Sequence, residues 1–193
     1  VQTNSMLKLV SKCLKNKIVL QEKIWGEFNF NELSYIKNNF KSLNIDLIRN
    51  IRSISANNIL FFYPASYYQH KNHKKLIEAF NLLCQDASLS CKLLLTLQIN
   101  QLKKISKINQ PHIVCLGKLE YENIIELYDY IDYLIYPSLY ESYGLPLIEA
   151  STKNVKIIAS DLDYVYEVCK PCLTFDPLSI NDILMKIKSL LPD

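Results

Sequence analysis

Glycine is scarce: the 193-residue chain has three, at 26, 117 and 144. Chains that cradle phosphate in glycine-rich loops spend several glycines within a few residues, so that device is excluded. Arginine is scarcer still, with Arg49 and Arg52 against twenty scattered lysines, and the net charge is only +3. No arginine cluster or aromatic-studded basic strip offers a nucleic-acid surface. A solvated lysine surface accounts for the charge, with at most a weak pull toward anionic substrates or lipid headgroups. No apolar run approaches the ~18 residues of a membrane span. The opening VQTNSMLKLVSKCLKNK does not read as a signal peptide, because lysines interrupt its apolar residues.

Metal-binding patterns are thin. Of the six cysteines, at 13, 84, 91, 115, 169 and 172, most sit in apolar segments such as FNLLC and HIVCLG, where cysteine acts as a small hydrophobe. Cys169 and Cys172 form one C-x-x-C with no second pair, so structural thiols in a reducing compartment are expected. His70 and His73 make a lone H-x-x-H, also weak as a ligand pair.

What is present is a rhythm that starts at residue 58. NILFFYP (58–64), CKLLLTLQ (91–98), HIVCLG (112–117), DYLIYPS (132–138), VKIIAS (155–160) and CLTFDP (172–177) read as buried strands. Helices are expected between them at 73–86, 100–108, 120–131, 145–153 and 161–169, and a last one carries Ile180, Ile183, Leu184, Ile187 and Leu190 at helical spacing. Near-continuous apolar strands alternating with helices predict an α/β fold, a doubly wound, mostly parallel six-stranded Rossmann-like sheet. Residues 1–57 lack the rhythm. They offer a helical stripe of Met6, Val10, Cys13 and Leu14, the lone Trp25 and a helix near 31–43, and read as a connector, with Asn57–Asn58 as the junction to a domain over 58–193.

Ligands of such sheets bind at the carboxyl ends of the strands. That edge receives the loop 65–72, the turn 117–119 and the loop 138–144. The last belongs to YPSLYESYGLPLIEAS (136–151). Gly144 permits positive φ and close backbone approach. Pro146 suits a first helical turn, where its missing N–H costs nothing. The free amides of that turn favour a phosphate. Glu149, one turn in, can accept from both hydroxyls of a vicinal diol, and Glu141 can meet a second polyol or balance positive charge. Lys71, ahead of a helix across the rim, is a phosphate partner. Alone, these residues fit better a helix-start acid favoured by the dipole, a solvated loop glutamate and one lysine among twenty.

Taken in sequence order, the segments resemble the donor-binding C-terminal domain of the retaining GT-B glycosyltransferases of family four, the glycosyl transferases group 1. The resemblance spans roughly 58–178. It rests on YPASYYQHKNHKKLIEAF, HIVCLGKLEYENIIELYDYIDYLIYPS, ESYGLPLIE with seven residues between its two glutamates, ASDLDYVYEV and CLTFDP. It implies that the chain binds a nucleotide-sugar such as a UDP- or GDP-hexose as substrate. Glu149 would hold the ribose hydroxyls and Glu141 the donor hexose. Amides of Ser142, Tyr143, Gly144 and Leu145 would meet the diphosphate and sugar. Lys71, helped by His70, would stabilise the leaving diphosphate, and Gly117 and Lys118 would lie near the base. Glu141 and Lys71 are thereby the catalytic candidates.

No metal or cofactor is expected, and Asp161 of the Asp161-x-Asp163 pair is read as a helix N-cap. Asn154 stands where the family's helix commonly ends in glycine, and asparagine tolerates that left-handed conformation. VQTNSM resembles the end of a preceding acceptor-holding domain. The chain is thus expected to be an incomplete, inactive fragment that reaches a glycan or lipid-linked acceptor only through a missing N-terminal domain. The resemblance further implies a cytoplasmic location with peripheral association at the inner face of the membrane, with which the mild lysine excess is compatible. The alternatives are a non-catalytic α/β nucleotide- or partner-binding module and a GT-B epimerase. The donor reading needs an open space above Gly144 and Glu149.

Overall fold

The computed structural model describes residues 44–86, 89–106 and 110–192. The expected N-terminal stripe, Trp25 and the helix near 31–43 lie outside the described residues. Helix α1 (Ile45–Ser55) opens the described part. The Asn44 side chain accepts from the Leu47 amide at 3.0 Å, and Ile48 and Ile51 turn into the core. Strand β1 (Ile59–Tyr63) is fully buried from Leu60 to Tyr63 and stops at Pro64, which has no N–H to continue a ladder.

Helix α2 (His73–Leu83) buries Leu76, Ile77, Phe80 and Leu83 at the predicted spacing. Then follow β2 (Cys91–Leu95), α3 (Ile99–Ile105), β3 (Ile113–Cys115), α4 (Tyr121–Leu127) and β4 (Tyr133–Tyr136). The chain closes with α5 (Leu145–Thr152), β5 (Lys156–Ser160), α6 (Asp163–Tyr166), β6 (Leu173–Phe175) and α7 (Ile180–Lys188). Most of these elements are shorter than the apolar pattern drew them. The helix expected over 120–131 ends at Leu127, and 128–130 form a turn.

All six strands are parallel, in the order β3-β2-β1-β4-β5-β6. Register is fixed by pairs such as Phe61 with Leu93 on one side and Tyr133 on the other. The central strands β1, β2 and β4 are buried on both faces, as a parallel sheet requires, while the edge strands β3 and β6 are half-buried. Helix α7 packs back on α2. The strand order reverses between β1 and β4. At such a reversal the segments that follow the two strands leave toward opposite faces, and the crevice in which parallel sheets take ligands is expected between their carboxyl ends.

Three loops meet at that edge on one side chain. Asn72 is buried in the left-handed conformation (φ 57°), and its amide donates to the Pro137 carbonyl at 3.1 Å and the Pro177 carbonyl at 2.7 Å. Asn72→Gly keeps the backbone freedom but strands both acceptors, and is expected to cost about 1–3 kcal/mol. Asn72→Ala adds a left-handed Cβ and is expected to cost a further ~1–2 kcal/mol. Urea unfolding of the three proteins checks this order.

Candidate functional site

The crevice is walled by the segments after β1 and β4. After β1 the chain makes a short 3-10 turn, Gln69–Lys71, before Asn72 turns it into α2. After β4 it passes the buried Ser138, then Glu141 and Gly144, and enters α5. Tyr63 sews the two walls together. Its hydroxyl donates to the Lys71 carbonyl at 2.9 Å and shares a proton contact with Ser138 Oγ at 2.8 Å. The Leu139 amide donates to the His70 carbonyl at 2.8 Å, and the Tyr164 hydroxyl donates to the Ser138 carbonyl at 2.8 Å.

On this frame Lys71 and Glu141 meet. Lys71 Nζ donates to Glu141 Oε1 at 2.6 Å, with the two side chains 17 % and 9 % exposed. The Tyr136 hydroxyl is a further partner of Glu141. Burial first, and then the Glu141 charge, pushes the Tyr136 and Tyr164 hydroxyls well above the ordinary phenol range, so both stay protonated. Glu141 is therefore neither a solvated loop glutamate nor a free base, but a carboxylate fixed by a cation and a phenol.

Gly144 adopts φ 70° at the N-cap of α5, with Pro146 in the first turn, as the sequence led one to expect. A Cβ on Gly144 would lie 3.1 Å from Leu147 Cδ1 as well as in a left-handed backbone. Asn154 ends the helix region at φ 57°. Glu149, half-buried, has its carboxyl raised above the usual range by burial, an effect that hydrogen bonds from Tyr128 and Tyr121 oppose. The Tyr128 bond to Glu149 Oε2 is 3.1 Å.

The remaining candidates scatter. His70 is stacked between Tyr68 (centroids 5.8 Å) and Tyr140 (4.7 Å), beside Glu141, and burial followed by the Lys71 charge lowers its pKa. Ser142 and Leu145 are exposed, and Tyr143 is half-buried. Gly117 (φ 72°) donates its amide to the Leu97 carbonyl at 3.1 Å; Lys118 is exposed. Neither is joined to the carboxylates by a hydrogen bond among the described residues. Asp161 is not the expected N-cap. Leu162 occupies that position, and Asp161 instead accepts from the Tyr166 hydroxyl, because the helix starts two residues later than drawn.

Cys84, Cys91, Cys115, Cys169 and Cys172 are free thiols. His70 and His73 part company: His73 is buried against Tyr63 (centroids 4.9 Å) while His70 stays at the rim. Two cavities, of about 470 and 750 Å³, open at the opposite, amino-terminal edge. Asp129 and Asp132 line both, and neither includes Glu141 or Glu149. The expected hollow above Gly144 and Glu149 is not among them, and Gly144 is itself buried.

The pattern of the glycosyl transferases group 1 matches residues 44–193. This chain belongs to that family. Among curated relatives, the serotype-specific mannosyltransferase WbdA of Escherichia coli is 26% identical over 132 residues, covering 64% of this chain and 16% of that protein. The O-antigen chain mannosyltransferase RfbU of Salmonella typhimurium is 30% identical over 111 residues, covering 58% of this chain and 29% of that protein. The chain thus spans less than a third of the curated relatives it matches.

Solved structures share the fold. The Escherichia coli trehalose-6-phosphate structure bound with UDP-2-fluoro glucose superposes with TM-score 0.69 at 13% identity, covering 97% of this chain and 51% of that one. A glycosyltransferase from Rickettsia africae superposes at 0.62 with 20% identity, covering 77% and 42%. The glycosyltransferase domain is therefore a GT-B Rossmann-like unit, as the motifs implied.

The sequence did not single out the tyrosines. Tyr63, Tyr121, Tyr128 and Tyr136 sit in or beside apolar stripes, where the ring is legible as core and the hydroxyl's partner is not. Two measurements test this geometry. Lys71→Met leaves Glu141 largely buried without its cation and is expected to cost up to about 3–5 kcal/mol, much of it recovered in Lys71→Met/Glu141→Gln. The second concerns His73, whose pKa burial lowers to about 4; neither ring nitrogen has a hydrogen-bond partner of good geometry. An unfolded histidine titrates near 6.5, so between about 6.5 and 4 the unfolded chain binds a proton that the folded one refuses. The His73 contribution to stability should fall by about 2 kcal/mol from pH 7 to pH 5, and His73→Phe should remove that share of the pH dependence of the urea midpoint.

Proposed function

We propose that this domain is the nucleotide-sugar-binding half of a retaining hexosyltransferase, which moves a hexose from a nucleoside diphosphate to a glycan or lipid-linked acceptor. The observation that carries the reading is the Lys71–Glu141 contact at the strand-order reversal, with Glu149 eight residues further on and the start of α5 between the two glutamates. Two mannosyltransferases among the relatives support a hexose as cargo. The two cavities at the other edge do not oppose the reading, since a site shared between two halves is walled by this chain on one side only.

In this reading the amides leading into α5, from Ser142 to Leu145, meet the diphosphate and the sugar, because the positive end of a helix dipole favours an anion. Glu149 takes the ribose hydroxyls, and Gly117 and Lys118 flank the base. As the glycosidic bond breaks, negative charge grows on the diphosphate and positive charge on the sugar ring. Lys71 and the amides, fixed beforehand, meet the first; Glu141 meets the second. Lys71 already lies on Glu141, so the arriving diphosphate shares that cation and draws it from one oxygen toward another. His70 lines the same wall. The acceptor attacks from the face the leaving group vacates, with no protein nucleophile and no metal, and configuration is kept.

An N-terminal half outside this chain would bind the acceptor, so the chain alone would bind donor without turnover. The whole enzyme would work at the cytoplasmic face of a membrane. Among the described residues no helix is long and apolar enough to cross one.

Calorimetric titration with UDP, GDP and ADP tests the proposal. One of the three should bind at about micromolar to millimolar Kd, and Glu149→Ala and Lys71→Ala should each weaken it by roughly tenfold or more. Absence of binding by all three would favour a module that docks a partner protein. Hydrolysis of a nucleotide-sugar by this chain alone would contradict the divided site.

A further inference from the structure

Glu149 sits on α5, but the groups that define its carboxylate come from α4. Each helix of a parallel sheet starts at the carboxyl edge and runs back toward the amino edge. Helical side chains lean toward their own N-terminus. Tyr128, just past the end of α4, therefore reaches back up toward the rim. Its ring packs edge-on against Phe62 (centroids 5.9 Å) and is fully buried. Its hydroxyl lies 3.1 Å from Glu149 Oε2 and 3.4 Å from the Pro146 carbonyl. Tyr121, in the first turn of α4 and half-buried, has its hydroxyl beside the same carboxylate, close enough for each to shift the other's pKa.

Both phenols are donors here. Burial, reinforced by the Glu149 charge, lifts Tyr121 to about 12 and Tyr128 well above its ordinary value. A carboxylate offers about four lone-pair positions. With Tyr128 on one of them and the Tyr121 hydroxyl set to take a second, two remain, the number that a vicinal diol requires.

We propose that Tyr121 and Tyr128 are positioning residues that hold the Glu149 carboxylate in the orientation in which its two remaining lone pairs face a ribose diol, and so set the preference for ribo- over 2′-deoxynucleotides. This rests on the donor-site reading above. The cradle does more than offset the burial of Glu149. A carboxylate free to rotate could still carry charge, but could not keep both acceptors on one diol.

The test is a set of titrations of the 193-residue chain with UDP, GDP, ADP and their 2′-deoxy counterparts, on wild type, Tyr121→Phe, Tyr128→Phe, the double variant and Glu149→Gln. Phenylalanine removes only the hydroxyl. For the ribonucleotide that binds, each single variant should lose roughly 3- to 10-fold in affinity, while its 2′-deoxy form changes by less than about 2-fold. Glu149→Gln should abolish the ribo/deoxy preference, and adding either tyrosine change to it should have no further effect on that ratio. Retained 2′-deoxynucleotide binding shows that a variant's site is still folded. Equal losses for ribo and deoxy forms would overturn the cradle while leaving the donor site standing. A wild type that binds no ribonucleotide would overturn both. A wild type that binds ribo and deoxy forms alike would overturn the ribose assignment of Glu149 and the cradle with it.

Discussion

The Lys71–Glu141 ion pair is the contact on which the geometry of the carboxyl edge depends. It spans the place where the strand order reverses, and it joins segments seventy residues apart in sequence. Neither partner is expendable to the other. Each is mostly withdrawn from water, and a lone charge there would be expensive. The pair is supported from below by Tyr63 and Asn72, which give the backbone carbonyls of both walls their donors. A rim loop is ordinarily where a fold is softest. Here it is pinned by buried donors and acceptors that find their partners only when β1 and β4 are side by side.

Tyrosine is the residue this fold uses to place its acids. Glu141 has Tyr136 beside it, and Glu149 has Tyr121 and Tyr128. In each case the ring is spent on packing and the hydroxyl on the carboxylate. Core and site are thereby the same side chains seen from two ends. That economy suits a chain with few glycines and fewer arginines. Rigid rings on strands and helices do the orienting that glycine-rich loops or arginine forks do in many ligand sites.

How far the sequence discloses this can be judged from particular segments. The strands of the sheet were legible because strands buried on both faces read as apolar runs, and the Gly144–Pro146 turn because left-handed backbone and a first helical turn select those residues. Asn154 was legible for the same reason. Asp161 was misplaced as a cap because helix ends shift by a residue or two at little energetic cost. The Lys71–Glu141 contact was beyond the pattern altogether. Both residues were named, but only the reversal of strand order brings their loops together, and periodicity carries no record of that order. The tyrosine hydroxyls were hidden in the same way.

The stack of Tyr68, His70 and Tyr140 has a mechanical consequence. Two of its rings belong to the segment after β1 and one to the segment after β4, and the outer rings are 62 % and 46 % exposed. Stacked rings lose their contact when they part. The stack is therefore an outer clasp over the bonds that join the two loops beneath it, so that neither loop can lift from the sheet edge without first unstacking His70.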